Sequence, residues 1–251
     1  MSALWHAFTD QLHGFLFGIY PYICAGIFLV GSLIRFDRDQ YTWRSGSSQM
    51  LRTRQFRLGS NLFHLGILFI FFGHLVGLLT PHALYEHFIT AREKQMLAVI
   101  AGGVAGALCF IGLTMLLHRR LFDERIRRTS TTIDIAILAL LWVQLTLGLT
   151  TLPFSIAHSD GGTMLQLSAW AQHIVTFRAG AADYVRGTDL VFQMHMVLGM
   201  TLFLLTPFSR LVHIFSAPVW YLGRNWQIVR RRGGATARPG PVAAPHAGPA
   251  E

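Results

Sequence analysis

One apolar segment, Ser60 to Pro81, constrains the chain more than any other feature; it reads SNLFHLGILFIFFGHLVGLLTP. At about 1.5 Å rise per residue, a helix of about 22 residues crosses the hydrocarbon core of a bilayer. The segment has no Asp, Glu, Lys or Arg, yet it contains two histidines, His64 and His74. An ionisable side chain inside a membrane is costly and usually marks a functional site. We therefore expect both histidines to have partners elsewhere in the chain.

Five stretches of the sequence are long and apolar enough to be membrane spans: 14–34, 61–80, 97–117, 133–152 and 190–215. Charged residues make up 13% of the 251 residues, against about 25% in an ordinary soluble domain, and the mean hydropathy is +0.43. No Lys or Arg precedes the first span, so we expect a retained span rather than a signal peptide. The predicted fold class is an all-α integral membrane protein with five transmembrane helices.

Most of the basic residues lie on one side of these spans, which predicts the topology. The opposite side holds only Arg92, Lys94, Arg178 and Arg186. By the positive-inside rule, the N-terminus is periplasmic and the C-terminus cytoplasmic. The net charge of +9 is therefore a topology signal that membrane lipid can reinforce, and it does not indicate nucleic-acid binding. The basic clusters follow spans one, three and five and comprise Arg35, Arg38, Arg44, Arg52, Arg54, Arg57, Arg119, Arg120, Arg125, Arg127, Arg128, Arg224, Arg230, Arg231, Arg232 and Arg238.

The remaining segments differ in composition. The inner loop 35–59 is basic and contains Tyr41 and Trp43, which fits lipid headgroups or a docked protein. Span three contains GGVAGALCFIG, whose small residues should allow close helix approach. The outer connection 153–188 includes a helical pattern at 163–177, which is expected to lie along the membrane surface. We divide the chain into a membrane domain, 1–232, and a disordered Pro-, Ala- and Gly-rich cytoplasmic tail, 233–251.

Span five, 190–215, supplies possible partners for the histidines of span two, because it contains His195 and His213. On ideal helices, His64 and His74 are about 15 Å apart along the axis, and His195 and His213 about 27 Å apart. Metal–nitrogen bonds are about 2 Å long, so the two histidines of one span cannot share an ion. No Glu lies within any span to bridge two irons, which argues against a carboxylate-bridged di-iron site.

Topology pairs the four histidines by depth. Spans two and five run in opposite directions, so His64 and His213 lie towards the cytoplasm, and His74 and His195 towards the outside. Two imidazoles facing each other between antiparallel helices are the axial ligands of a six-coordinate b-type haem. We therefore predict two haems between spans two and five, with these histidines as ligands to the haem iron. Helix tilt and a kink at Pro207 have to absorb the unequal separations along the two spans.

Other interpretations fit parts of this pattern. A single histidine in a membrane helix usually forms an interhelical hydrogen bond rather than a metal bond. Cys24 and Cys109 are expected to pack as small apolar side chains. Five further histidines lack a partner at matching depth and are expected at the surface: His82, His87, His118, His158 and His173.

Several segments carry a family resemblance. The matching stretches are IYPYICAGIFLVGSLIRFDRDQYTWR, SSQML, SNLFHLGILFIFFGHLVGLLTPH, RRLF and HMVLGMTLFLLTPFSRLVHIFSAPVWYL. From about residue 19 to 230, the sequence resembles the gamma subunit (cytochrome b subunit) of bacterial membrane-bound respiratory nitrate reductase. In that family, the histidines equivalent to His64 and His213 bind the cytoplasm-proximal haem. Those equivalent to His74 and His195 bind the distal haem.

The resemblance implies a quinol-oxidising anchor in the bacterial cytoplasmic (inner) membrane. Menaquinol or ubiquinol would be oxidised near the distal haem. Electrons would pass to an iron–sulfur beta subunit, and then to a molybdenum-containing alpha subunit that reduces nitrate. Lys94 matches a family lysine implicated in the quinol site, and Gly73 would let quinol or haem approach the backbone beside His74. Arg120 and Arg210 are candidate partners of the haem propionates, although snorkelling to the interface is the expected role.

Two other functions stay open on the sequence alone. The chain fits a cytochrome b anchor of another quinone-linked reductase, because nothing in it contacts nitrate. It also fits a haem-free structural anchor, which would show no visible absorption. A transporter would need discontinuous spans or spans rich in charge, and the sequence predicts neither.

Overall fold

The computed structural model describes residues 2–39 and 53–216, which form a bundle of helices. Five helical stretches are long and apolar enough to cross a membrane: Leu4–Asp39, Arg54–Leu79, Ala91–Phe122, Thr132–Ala157 and Leu190–Phe208. This confirms the predicted all-α class and the number of spans. The elements in order are α1 Ser2–Gly14, a π turn Phe15–Ile19, α2 Tyr20–Asp39, α3 Thr53–Leu79, α4 His82–Tyr85, α5 Ala91–Phe122, α6 Glu124–Arg128, α7 Thr132–Ala157, α8 Gly162–Val175, a 3-10 turn Ala181–Tyr184, α9 Leu190–Leu205, and 3-10 turns Thr206–Phe208 and Arg210–Ser216.

Some predicted segments fall beyond the part of the chain that the structure describes. Tyr41 and Trp43 of the basic inner loop belong to the gap between α2 and α3. The tail 233–251, predicted to be disordered, also lies outside the described residues.

The first span starts earlier than the sequence predicts, because α1, the π turn and α2 form one continuous stretch from Leu4. Within the π turn, the Tyr20 N–H bonds to the Phe15 carbonyl, one residue beyond the α-helical partner. The Phe17 carbonyl accepts a hydrogen bond of 2.9 Å from Trp170 Nε1 on α8. The π turn thereby ties α8 to the first span.

Helix α8 confirms the helical pattern predicted near 163–177, and it covers one end of α3. Ser168 Oγ donates to the Gly77 carbonyl at 3.4 Å. Gln172 Nε2 donates to the Leu78 carbonyl at 3.0 Å. The last carbonyls of a helix have no partner within it, so these bonds fix the end of α3 nearest His74.

Helices α3 and α5 pack with their backbones in close approach, as the small residues of span three predict. A Cβ placed on Gly66 would lie 2.6 Å from Cys109 Cβ and 2.7 Å from the Ala105 carbonyl oxygen. A Cβ on Gly112 would lie 2.6 Å from the Gly59 carbonyl oxygen. Cys109 is fully buried here, in line with its predicted packing role, and Cys24 of α2 is buried as well. Since Gly66 faces Cys109 and Gly59 faces Gly112, the two helices run antiparallel.

Helix α7 extends beyond its predicted end. A capping box opens it, because the Thr131 side chain accepts from the Asp134 N–H and the Asp134 carboxylate accepts from the Thr131 N–H. The sequence predicts a stop at residue 152, before Pro153, but the helix continues to Ala157. A proline removes one helical hydrogen bond, a loss that membrane helices tolerate when neighbouring groups compensate.

The last span is broken, and the prediction of one kinked helix over 190–215 is therefore only half right. The α-helix ends at Leu205, two residues before Pro207, whose ring cannot supply the next backbone N–H. Ser209 is extended, with φ −126° and ψ 178°, between the two 3-10 turns. Because the α9 axis does not continue past this point, the ideal-helix separation of His195 and His213 does not apply.

Candidate cofactor site

Two pairs of imidazoles face each other between α3 and the last span. Helix α3 packs on α5 and α8, whereas α9 packs on α2 and α7. Two pairs of imidazole rings lie between α3 and the last span. The ring centroids of His64 and His213 are 6.2 Å apart, and their planes make an angle of 74°. Those of His74 and His195 are also 6.2 Å apart, at 43°. The structure thus brings together the same two pairs that topology predicts.

The α3 histidines are both oriented by their own helix. His64 Nδ1 donates to the Ser60 carbonyl at 2.7 Å. His74 Nδ1 donates to the Ile70 carbonyl at 2.8 Å, again four residues earlier. A carbonyl oxygen only accepts, so Nδ1 carries the proton and Nε2 keeps its lone pair.

The opposing histidines show the same pattern with different partners. His195 Nδ1 donates to the Gln144 carbonyl of α7 at 3.2 Å. His213 Nδ1 donates to the Arg210 carbonyl at 2.6 Å. An Nδ1–H bonded to a backbone carbonyl is the usual support of a metal-binding imidazole, because it fixes the tautomer and the ring orientation. All four rings therefore offer Nε2 as a ligand.

The spacing of the pairs fits a metal held from both sides. Two metal–nitrogen bonds of about 2 Å, with the size of the imidazole rings added, place ring centroids about 6 to 6.5 Å apart. Among the described residues, no three His, Cys, Asp or Glu side chains gather closely enough to hold an ion by themselves. A metal between these rings would thus take its other ligands from a macrocycle, and the two axial imidazoles fit a b-type haem.

The histidines without a predicted partner are engaged differently. His173 uses both ring nitrogens, with the Ala179 carbonyl and the Tyr184 hydroxyl each at 3.3 Å. His82 pairs with Glu86 at 2.8 Å, and its side chain is about half exposed. His87, His118 and His158 are exposed, as predicted.

Two residues of α7, Gln144 and Gly148, position His195. Besides the carbonyl bond, Gln144 Nε2 donates to the His195 carbonyl at 3.0 Å. A Cβ on Gly148 would lie 2.9 Å from His195 Cε1, so only glycine leaves room for the ring. Gln144 and Gly148 are absent from the sequence-based prediction. A polar amide in the middle of an apolar span is the signal that points to Gln144.

Arg120 and Arg210 both lie near one carboxylate, that of Asp134. Arg210 Nε donates to Asp134 Oδ1 at 2.5 Å, and Arg210 Nη2 pairs with Oδ2. Arg120 Nη1 donates to Ser130 Oγ at 2.9 Å and lies 4.0 Å from Asp134 Oδ2. Both bonds turn the guanidinium groups inwards onto a buried carboxylate. Asp134, which the sequence-based prediction does not include, is the centre of this cluster.

Lys94 belongs to the first turn of α5 and not to a solvated loop. Its side chain is 8% exposed, and Nζ lies 3.8 Å from the centroid of the Tyr85 ring. Among the described residues, neither Lys94 Nζ nor the buried Tyr85 hydroxyl has a hydrogen-bond partner. Burial, with a smaller contribution from the Glu86 carboxylate, raises the pKa of Tyr85, so the phenol stays a donor. Unpaired buried donors are costly and favour a ligand with acceptor oxygens.

Gly73 and Lys94 lie towards the same end of the bundle. The antiparallel packing of α3 and α5 places the start of α5, with Lys94, at the end of α3 that carries His74. Among the described residues, no atom lies within 4 Å of the position a Cβ would take on Gly73. The backbone beside His74 is therefore accessible to a flat ligand.

The helices are long enough to cross a membrane, and two pairs of imidazoles face each other between them. These features place the chain in the class of helical membrane proteins that can hold two cofactors, each between two histidines. Comparison with known proteins identifies the family within this class. The chain belongs to the nitrate reductase gamma subunit family, which it matches over residues 13–232.

Similar proteins support that membership along nearly the whole chain. The chain is 55% identical to the respiratory nitrate reductase 1 gamma chain of Escherichia coli (strain K12), over 88% of this chain and 98% of that protein. It is 54% identical to the respiratory nitrate reductase 2 gamma chain of the same strain, over 89% and 99%. It is 38% identical to the nitrate reductase gamma chain of Bacillus subtilis (strain 168), over 86% and 97%.

Proposed function

We propose that this chain is the dihaem cytochrome b membrane anchor of a respiratory nitrate reductase, which oxidises quinol and delivers the electrons to partner subunits. The observation that carries the proposal is the repeated geometry of the two imidazole pairs. Both have centroids 6.2 Å apart. All four rings have Nδ1 bonded to a backbone carbonyl, which leaves the Nε2 lone pair for a ligand bond.

The four histidines are the residues that would hold the cofactors. His64 and His213 would bind one b-type haem, and His74 and His195 the other, each through Nε2. When bound, the haems would supply one-electron carriers between the two ends of the bundle. The protein's part is to fix the axial ligands and to surround them with apolar helices.

The charge distribution supports a particular orientation in the bacterial inner membrane. The basic ends of α5 and α6 lie at the His64 end of the bundle, and the positive-inside rule places that end in the cytoplasm. Partner subunits, proposed to be an iron–sulfur beta subunit and a molybdenum-containing alpha subunit, would dock there. Quinol would then be oxidised at the opposite, periplasmic end near His74 and His195.

Lys94, Tyr85 and Gly73 are the proposed quinol-binding residues at that end. Oxidation of a quinol to a quinone releases two electrons and two protons. The Lys94 ammonium and the Tyr85 hydroxyl would donate hydrogen bonds to the ligand's oxygens, which satisfies two buried donors. Gly73 would let the ring approach the backbone next to His74.

Lys94→Ala is expected to lower quinol-dependent nitrate reduction by about tenfold to a hundredfold, the size of a lost charge-assisted hydrogen bond. The haem content should not change, because Lys94 is not an axial ligand. Nitrate reduction with an artificial reductant that feeds the partner subunits directly should also be unaffected. Steady-state kinetics with a menaquinol or ubiquinol analogue measures the effect.

Arg92→Ala is the matched control, since Arg92 is an exposed cation in the same helical turn. It should retain quinol oxidation. Equal losses in both variants would show that Lys94 acts only through general charge at this end of the bundle, and would contradict its place in the quinol site.

The partner subunits give the direct test of the proposed function. A tagged chain purified from membranes in mild detergent should bring with it an iron–sulfur subunit and a molybdenum subunit, and the complex should reduce nitrate with quinol. Co-purification with a reductase for another substrate would favour a cytochrome b anchor of a different quinone-linked complex. Purification of a colourless chain would favour a structural anchor.

A further inference from the structure

His213 rests on an unusual support. It belongs to the 3-10 turn Arg210–Ser216, whereas His195 lies in the regular helix α9. Runs of 3-10 helix longer than three or four residues are uncommon because their hydrogen bonds have poorer geometry. The Nδ1 bond of His213 goes to the Arg210 carbonyl, at the first residue of this turn. The position of Arg210 therefore governs the orientation of the imidazole.

Asp134 fixes Arg210 from a different helix. The guanidinium and the carboxylate form a two-pronged pair, with Nε on Oδ1 at 2.5 Å and Nη2 on Oδ2. Such bidentate pairs are the most directional of the charged hydrogen bonds. Asp134 is 8% exposed, and the capping box with Thr131 holds it in the first turn of α7. A continuous set of polar contacts thus links α7 to the ring of His213.

A second charged side chain, Arg35, binds the backbone just before Arg210. Arg35 Nη1 on α2 donates to the Pro207 carbonyl at 2.6 Å and to the Ser209 carbonyl at 2.8 Å. Two charged side chains from two helices therefore hold the break in the last span on both sides. The His195 site has no comparable ion pair among the described residues, since Gln144 and helix α9 orient that ring.

We propose that Asp134 is a positioning residue for His213, which sets the angle of this imidazole through Arg210. The inference rests on the proposed function, in which His64 and His213 bind one haem. The structure gives this pair nearly perpendicular planes, 74° apart, against 43° for His74 and His195. In low-spin ferric haem, perpendicular axial imidazoles leave the two π-symmetry d orbitals of iron nearly equal in energy. The g tensor is then at its most anisotropic.

Electron paramagnetic resonance of the oxidised, intact complex tests this directly. The wild type should show two low-spin features, of which the one at higher g comes from the His64–His213 haem. The His74→Ala complex, which keeps only that haem, assigns the feature. In Asp134→Asn, the ring loses its constraint, so this feature should move to lower g while the other feature does not move.

Two further variants make the test decisive. Arg210→Lys keeps the charge but loses the two-pronged geometry, and should shift the same feature even if Asp134→Asn fails to assemble. Glu124→Gln is the matched control, because Glu124 forms an exposed pair with Arg128, at 69% and 77% exposure, and should leave both features in place. Unchanged spectra in Arg210→Lys and Asp134→Asn, with two haems bound, would overturn the inference alone. A wild type without haem would overturn the proposed function with it.

Discussion

His74→Ala is expected to lower the haem content from two to one per chain and to abolish quinol-dependent nitrate reduction. The substitution removes one of the two axial ligands of the proposed haem beside the proposed quinol site, and leaves His195 as the only protein ligand of that iron. The loss of turnover should exceed the 10- to 100-fold typical of changes in the residues that merely support a ligand. Pyridine haemochrome quantitation of the purified complex, together with quinol:nitrate kinetics, gives both readouts.

His158 provides a control of the same chemical type. Its Nδ1 also bonds to the carbonyl four residues earlier, Phe154, at 3.2 Å, but no imidazole in the described part of the chain opposes it. His158→Ala should therefore keep both haems and normal turnover. An unchanged haem count in His74→Ala would return His74 to a role in helix packing and contradict the ligand assignment.

The second large effect is expected from Gly112→Val, which should destabilise the bundle. Even a Cβ at this position would lie 2.6 Å from the Gly59 carbonyl oxygen and closer still to the Phe63 backbone nitrogen. These are backbone atoms of α3, so the helices must separate to relieve the clash. Overpacking of this kind costs about 1–3 kcal/mol or more, which lowers the midpoint of thermal unfolding by several degrees or prevents assembly.

The separation of α3 from α5 should also reach the cofactor site, because His64 follows Phe63 directly. We expect the haem of the His64–His213 pair to be lost before the other as the complex is heated. Gly102→Val is the control on the same helix, since no described atom lies within 4 Å of a Cβ at Gly102. Thermal unfolding monitored by helical circular dichroism and by haem absorbance compares the two variants. Equal destabilisation would show that the close approach of α3 and α5 is not the cause.

Much of this site could be predicted because a membrane restricts the length, composition and direction of the helices that cross it. Apolar length defines the spans, and arginine distribution predicts their direction. Once direction is known, depth alone pairs His64 with His213 and His74 with His195. The side chains that oppose one another in the structure follow from these few constraints, without knowledge of helix packing.

The details that the sequence does not predict depend on contacts between helices, which can offset a hydrogen bond that is lost within a helix. Pro153 lies within α7 and Pro207 ends α9, although both follow apolar runs, because the surrounding contacts decide whether a lost hydrogen bond is tolerated. The ion-pair partner of Arg210 could not be predicted from the sequence either. Asp134 looks like a helix-capping residue in sequence, and only the folded chain shows that its carboxylate also binds a guanidinium 76 positions away.

Lys94, in the proposed quinol site, shows the same limit of sequence-based prediction. Its sequence context suits a solvated loop, whereas the structure buries its ammonium against the Tyr85 ring. This burial brings Lys94 together with Tyr85, a residue of the preceding short helix α4, and no periodic pattern in the sequence indicates that contact. The resemblance to a known family drew attention to Lys94, and the geometry adds Tyr85 as its neighbour.

The central claim is that two pairs of imidazoles hold two b-type haems, and the haem content of the wild-type complex tests it most directly. A dithionite-reduced minus oxidised spectrum of the purified complex, with pyridine haemochrome quantitation against the amount of this chain, is the measurement. We predict b-type absorption and two haems per chain. A colourless complex, or one haem per chain at full occupancy, would contradict the account.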